Sequence, residues 1–294
     1  MVLLHVKRGD ENLFLYDTSV DENTTDVIRE VTAIYNGRLK VYRVCSEIEE
    51  LIEYGTMLPP EMIGLTDEQI VELKLKDIWG EKCIPAGGFV MNKDPLGRRN
   101  GQQPQEKMRE ILKKAMEDAK SFIDKKLVSA HQPLNLKNVT EALNLLRGAV
   151  TIVYPMQLPP HDIIRMEFCN TEDLSGTQAS REVIETVKAQ LWFAGKQILP
   201  DRKLHHYVGK NDKTKVVVKL NKQGEGPPSR EAVLTEDIRK RMMADAYRRQ
   251  EELKINNREN LKRPIREIVI AGIELLGLYA LKCKETDTEY VLPN

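Results

Sequence analysis

Apolar and polar residues alternate at the start of the chain, and the pattern then lengthens to a helical period. Residues 2–8 and 13–16 read as two strands joined through Gly9-Asp10-Glu11-Asn12, residue types that tolerate a tight connection. Val27, Ile28, Val31 and Ile34 predict a helix over 25–35, stopped at Asn36-Gly37, since glycine accepts a left-handed cap. Residues 39–44 read as a strand. Ser46 and Glu49 read as a capping box for a short helix carrying Ile48, Leu51 and Ile52. After Pro59-Pro60, Thr66 and Gln69 form a second capping box, and residues 85–104 read as loop. Met108, Ile111, Leu112, Ala115 and Ala119 predict a helix over 104–123. A further helix over 135–146 ends at Gly148. Residues 149–154 and 163–168 read as a strand pair, 178–189 as a helix, and 191–193 and 215–220 as strands. Gln223 to Pro228 reads as a linker, and 235–261 as a charged helix ended by Pro264.

The run Leu191-Trp192-Phe193-Ala194-Gly195-Lys196-Gln197, followed by a polar turn, Leu204 and Tyr207, resembles the third strand and following turns of ubiquitin. With its neighbours it implies a ubiquitin-like (β-grasp) roll at 148–222. The order strand, strand, helix, strand at the N-terminus suggests a second β-grasp-like domain. The expected class is α+β: an N-terminal domain at 1–80, a loop at 81–103, a helical insert at 104–147, the roll at 148–222, a linker at 223–234 and a helical segment at 235–294. The roll offers a surface and no reactive groups, which points to protein binding. Leu191 and Phe193 facing inward would turn Trp192 outward, where tryptophan favours interfaces. Packing of Trp192 beneath the helical insert or the long helix is the alternative. Lys196 and Val218 are taken as neighbours of Trp192 on the binding surface. Met242 and Ala246 lie on the thin apolar stripe of the long helix, a candidate for seating in a partner's groove.

Composition narrows the classes of function. The 294 residues carry 45 basic and 45 acidic side chains, so net charge supplies no footprint for nucleic acid or an anionic membrane. Cys45, Cys83, Cys169 and Cys283 are far apart and form no Cys-x-x-Cys pair, which favours reduced thiols in the cytosol. The first residues are interrupted by His5 and end in charge, unlike a signal peptide. The apolar stretch 268–281 is short for a bilayer span and contains Glu274.

No residue set converges on catalysis. Gly97-Arg98-Arg99-Asn100-Gly101 lacks phosphate-loop spacing and reads as a basic turn. His205 and His206, adjacent on an extended segment, would point apart and make no metal site alone. Cys83, beside Lys82, is the best placed thiol for reactivity but has no evident base. No enzyme activity, cofactor, metal or small-molecule substrate is expected.

Further motifs resemble a eukaryotic cilia- and flagella-associated family, the Kurly proteins. They include Val2-Leu3-Leu4-His5-Val6-Lys7-Arg8-Gly9-Asp10, Leu73-Lys74-Leu75-Lys76-Asp77, Trp79-Gly80-Glu81-Lys82-Cys83, Ile152-Val153-Tyr154-Pro155-Met156, Asp173-Leu174-Ser175-Gly176-Thr177-Gln178 and Arg248-Arg249-Gln250-Glu251-Glu252. The chain departs from the family pattern after about Asn257. The resemblance implies a non-enzymatic protein of motile cilia, located in the cytoplasm, at the basal body or in the cilium. It would act with the machinery that assembles axonemal dynein arms and in cilium positioning. Its rivals are a structural part of the axoneme or basal body, and a ubiquitin-like adaptor for a segregase or the proteasome.

Overall fold

The computed structural model describes residues 1–229 and 237–254. The chain divides into two units, Met1–Arg230 and Glu231–Asn294. In the first, β1 (Val2–Arg8) and β2 (Glu11–Thr18) form the expected antiparallel hairpin, turning at Gly9 with φ +59°. Val2, Leu4 and Val6 point to the core, so Leu3, His5 and Lys7 line the other face.

α1 (Thr24–Tyr54) follows without a break at Asn36-Gly37. The strand expected at 39–44 and the cap expected at Ser46 both lie inside this helix. The apolar period explains why: Val27, Val31, Ile34, Val41, Val44, Ile48 and Leu51 stay buried along one face. Gly37 serves close packing instead of termination. A Cβ there would lie 2.6 Å from Val139 Cγ1. Asn36 clamps the chain at Ile184, donating to its carbonyl at 2.7 Å and accepting its N–H at 3.1 Å.

The long segment after α1 is mainly helical: α2 (Asp67–Glu72), α3 (Ile78–Lys82), α4 (Glu106–Ile123), α5 (Lys126–Ser129), α6 (Leu136–Val153), α7 (Ile163–Cys169) and α8 (Gln178–Glu182). The capping box at Thr66 and Gln69 is present, and α4 lies where the period placed it. Two strands expected of the roll, 149–154 and 163–168, are instead the end of α6 and α7. Val139, Ala142, Leu146, Ala149, Val150 and Val153 form one buried helical stripe that continues past Gly148. The helix expected at 178–189 ends at Glu182, and a 3-10 turn, Thr186–Lys188, precedes the next strand. The loop at 85–104 contains a short ribbon, β3 (Phe89–Met91) with β4 (Gln102–Pro104).

β5 (Ala189–Phe193), β6 (Lys196–Ile198) and β7 (Lys215–Lys222) return to the hairpin, with the short α9 (His205–Val208) between the last two. They build one five-stranded sheet in the order β2-β1-β7-β5-β6. β1 and β7 pair in parallel at its centre, and the other pairs are antiparallel. Strands expected in two separate rolls therefore share one mixed sheet. Its inner face, α1, α4 and α6 enclose a continuous apolar core.

Residues 223–229, expected as linker, turn back across the outer face of β7. Asn221 Nδ2 donates to Gly226 O at 3.2 Å, and Lys219 Nζ donates to Ser229 O at 2.9 Å. In the second unit, residues 237–254 are helical and exposed throughout. The remainder of the helix expected at 235–261, and the apolar stretch 268–281, lie outside the described residues. Among the described residues, no helix is long and apolar enough to cross a membrane.

Candidate protein-binding surfaces

The end of α1 anchors the loop that follows it. Gly55 closes the helix at φ +78°, where a Cβ would lie 2.4 Å from Gln102 O. Beneath this turn lies Arg99, only 3% exposed, so the basic turn read from the sequence buries this side chain. Its guanidinium donates to Gly55 O at 2.9 Å, to Glu47 O at 3.2 Å and to Glu47 Oε2 at 2.8 Å. Asp162 Oδ2 lies 3.8 Å away. That carboxylate also accepts the N–H of Met57 at 3.2 Å and caps α7 by accepting the N–H of Ile164 at 3.0 Å. One arginine thus ties α1, the loop and α7 together. Burial pushes the Glu47 carboxyl up, while the Arg99 charge pulls it back.

Asp94 shapes the preceding turn by accepting the backbone N–H groups of Leu96, Arg98 and Arg99 at 2.8–2.9 Å. Burial acts to raise its pKa, but these bonds prevail and hold the carboxyl below its ordinary range. Asn100 completes the clamp, donating to Thr56 Oγ1 at 2.9 Å.

On this fixed base, apolar side chains face solvent. Val71, Leu73, Ile78, Val90, Met91 and Leu96 are each more than half exposed, with Met91 and Leu96 at 69%. Scattered single apolar residues are ordinary on a surface, whereas this concentration within residues 71–96 is not. Ile152 and Met156, at the end of α6 and just beyond it, are also exposed. Sequence reasoning missed this surface. The available signal was Phe89-Val90-Met91, an uncharged apolar run in a segment read as loop.

The residues read from sequence do not form one patch. Trp192 points to the face opposite fully buried Leu191, as strand alternation requires, but is only partly exposed. Its indole N–H is buried and has no acceptor among the described residues. Lys196 lies exposed on edge strand β6. Val218 is fully buried in the core of β7, paired with Phe193 and Val6, so its side chain offers nothing to a partner. The alternation turns Val217 outward instead. Met242 and Ala246 are exposed on the helix at 237–254.

The expected chemistry shifts in detail. His205 and His206 lie on a helical turn, not an extended segment, with rings 4.4 Å apart, and His205 Nδ1 lies 3.3 Å from Asp21. Cys83 is buried, and burial, aided by Asp77, pushes its thiol pKa up, so it is not poised to react. Cys169 is the exposed thiol among the described residues. No group of three or more metal-ligating side chains converges there.

A cavity of about 260 Å³ between α1, α7 and the turn at 172–179 is lined by Arg43, Glu47, Glu167, Glu172 and apolar Ile163 and Met166. Its charges are largely paired, with each other or with side chains beside the cavity. Arg43 holds Glu167 at 2.7 and 3.1 Å, and Lys40 holds Glu172 at 2.8 Å.

Fold and surface together define a mixed α+β protein whose salient features are exposed apolar faces on a clamped frame. The model of the family described as cilia- and flagella-associated protein 298 matches residues 189–263. A relative of that name from Drosophila melanogaster is 67% identical over 254 residues, covering 86% of this chain and 87% of the relative. Those from Mus musculus and Homo sapiens are each 57% identical, covering 81% and 80% of this chain and 82% and 81% of the relatives. The chain belongs to the cilia- and flagella-associated protein 298 family, which supports a cilium-related role. That family is not named for an enzyme activity. No solved structure matches the chain.

Proposed function

We propose that this chain is a non-enzymatic protein-binding factor for motile cilia that acts in the assembly of axonemal dynein arms and in cilium positioning. The observation that carries the binding role is the concentration of exposed apolar side chains within 71–96, next in the chain to a turn clamped by Arg99, Asp94 and Asp162. Ordered exposure of that kind suits a partner more than it suits solvent. Its cilium setting follows from the family to which the chain belongs.

In this reading the mixed sheet and α1 are a single β-grasp, with strands contributed by 1–18 and 189–222 and a helical insert at 55–188. The insert carries the main binding surface. Trp192, Lys196, Met242 and Ala246 supply further contacts to partner proteins, the dynein-arm assembly machinery foremost. The protein works in the cytoplasm and at the basal body, before arms reach the axoneme.

Electron microscopy of cilia from depleted cells tests this. Cilia should be present, with outer and inner dynein arms missing or reduced and beating impaired. Full arms on normally beating cilia would refute the proposal. Retention of the protein on demembranated axonemes, with arms intact, would favour a structural component instead.

A further inference from the structure

The ribbon in the insert has an unpaired side. β3 pairs with β4 as Phe89↔Pro104, Val90↔Gln103 and Met91↔Gln102, and among the described residues no third strand joins them. Backbone groups in an antiparallel ladder alternate toward and away from the partner strand. Asn92 N–H donates to Gly101 O at 2.8 Å, so that position faces β4. Counting back along the ladder, Val90 also turns its N–H and C=O to β4. Phe89 and Met91 turn theirs to the open side. Pro104, opposite Phe89, has no N–H to offer, which agrees with this phase.

Natural sheets blunt such an edge with shortness, charge, proline, a bulge or a cover. β3 is short, at three residues, but carries no charge and no proline, and all three of its side chains are exposed. The ribbon is also fixed in place. Gly101 N–H donates to Tyr54 O at 2.9 Å, and Asn92 Nδ2 donates to Glu53 O at 3.0 Å, both at the end of α1.

We propose that β3 is a docking edge that accepts one extended segment of another protein as a third strand. Only an extended backbone matches the spacing of donors and acceptors at Phe89 and Met91. The segment is uncharged where it lies along β3 and carries apolar side chains toward Phe89, Val90 and Met91. This inference rests on the reading of the chain as a protein-binding factor and adds the mode of binding.

The probe is a phage-displayed library of peptides of about ten residues, long enough for one strand, panned on the full chain. Selected peptides should carry an uncharged run of about three apolar residues, one beside each residue of β3. Met91→Pro removes an outward N–H that the fold does not use, and should weaken their binding by at least about tenfold. Met91→Val keeps that N–H and should bind within about threefold of the parent chain. Should Met91→Pro fail to fold, amide exchange on the parent chain decides. Bound peptide should protect the Phe89 and Met91 amides. Recovery of no binder, equal binding by Met91→Pro, or protection confined to another surface would overturn the proposal. So would self-association through β3, which would assign the edge to a second copy. These readouts involve no cilia, so a failed edge leaves the ciliary reading standing, and normal arms in depleted cells leave the edge standing.

Discussion

Gly37→Ala should destabilise this protein, against the usual direction for a helical glycine. On an exposed helix the change would gain about 1 kcal/mol in propensity. Here the added Cβ would meet Val139 Cγ1 at 2.6 Å, about 0.8 Å inside the 3.4 Å lower bound of ordinary contact. Val139 is 2% exposed on α6 and β-branched, so it has little freedom to rotate away. Overpacking of this kind costs about 1–3 kcal/mol, which leaves a net loss of up to about 2 kcal/mol after the propensity gain. Val139→Ala alone should cost about 2 kcal/mol through the lost methyl groups and the cavity they leave. In the double variant the new Cβ occupies part of that cavity and the clash is gone. The two changes should therefore couple favourably by at least about 1 kcal/mol. Urea unfolding of the full chain, followed by circular dichroism with unchanged slope, measures all three. A Gly37→Ala variant more stable than the parent, or an additive cycle, would refute the close-approach argument and leave Gly37 an ordinary helical glycine.

Arg99→Met should cost about 3–5 kcal/mol, because it strands the Glu47 and Asp162 carboxylates it now faces. Arg99→Lys should recover little, since an ammonium lacks the fork that reaches both Gly55 O and Glu47; full recovery in a melting experiment would sink this account. Asp94 has a depressed pKa in the folded state, so its stabilising contribution is complete above the unfolded value of about 3.9 and lost as pH falls through the folded one. Asp94→Asn should lower stability at neutral pH and flatten the acid limb below about pH 4, and an unchanged acid limb would contradict the bonding described for it. In a Cys283→Ser background, a thiol reagent should label exposed Cys169 first. Cys45, pushed up to about 11 chiefly by burial, and buried Cys83 should follow only on unfolding, and early labelling of Cys83 would count against its burial.

The sequence revealed local order better than it revealed partnership. The first hairpin, α4 and the strands at 191–193 and 215–220 lie where alternation or helical period placed them. The errors share a cause. Short β-branched runs such as Thr151-Ile152-Val153 suit a buried helix as well as a strand, and periodicity over six residues cannot separate them. Gly37 and Gly148 looked like stops because glycine often ends helices, yet the buried stripe of each helix continues past the glycine. The pairing of β1 with β7 spans nearly the whole first unit, so no local pattern announces it.

Legibility was similarly uneven at the surface. Alternation placed Trp192 opposite Leu191 correctly, and the same rule, applied to β7, would have passed over Val218 for Val217. Arg99 read only as part of a basic turn because nothing in its neighbours shows the carbonyls and carboxylates that other parts of the chain bring to it.

The central parallel pair also orders events during synthesis. β1 leaves the ribosome long before its inner neighbour β7, which is not complete until Lys222. Until then β1 has a neighbour on one side only, and α1 and the helices of the insert have an unfinished sheet to pack against. Hairpin and helices can form early, whereas the sheet closes only after about three quarters of the chain exists. A nascent or prematurely ended chain therefore exposes an open strand edge beside apolar core residues such as Leu4 and Val6, a species suited to chaperone capture or mispairing. A stop codon between β6 and β7 removes the middle of the sheet rather than one end of it.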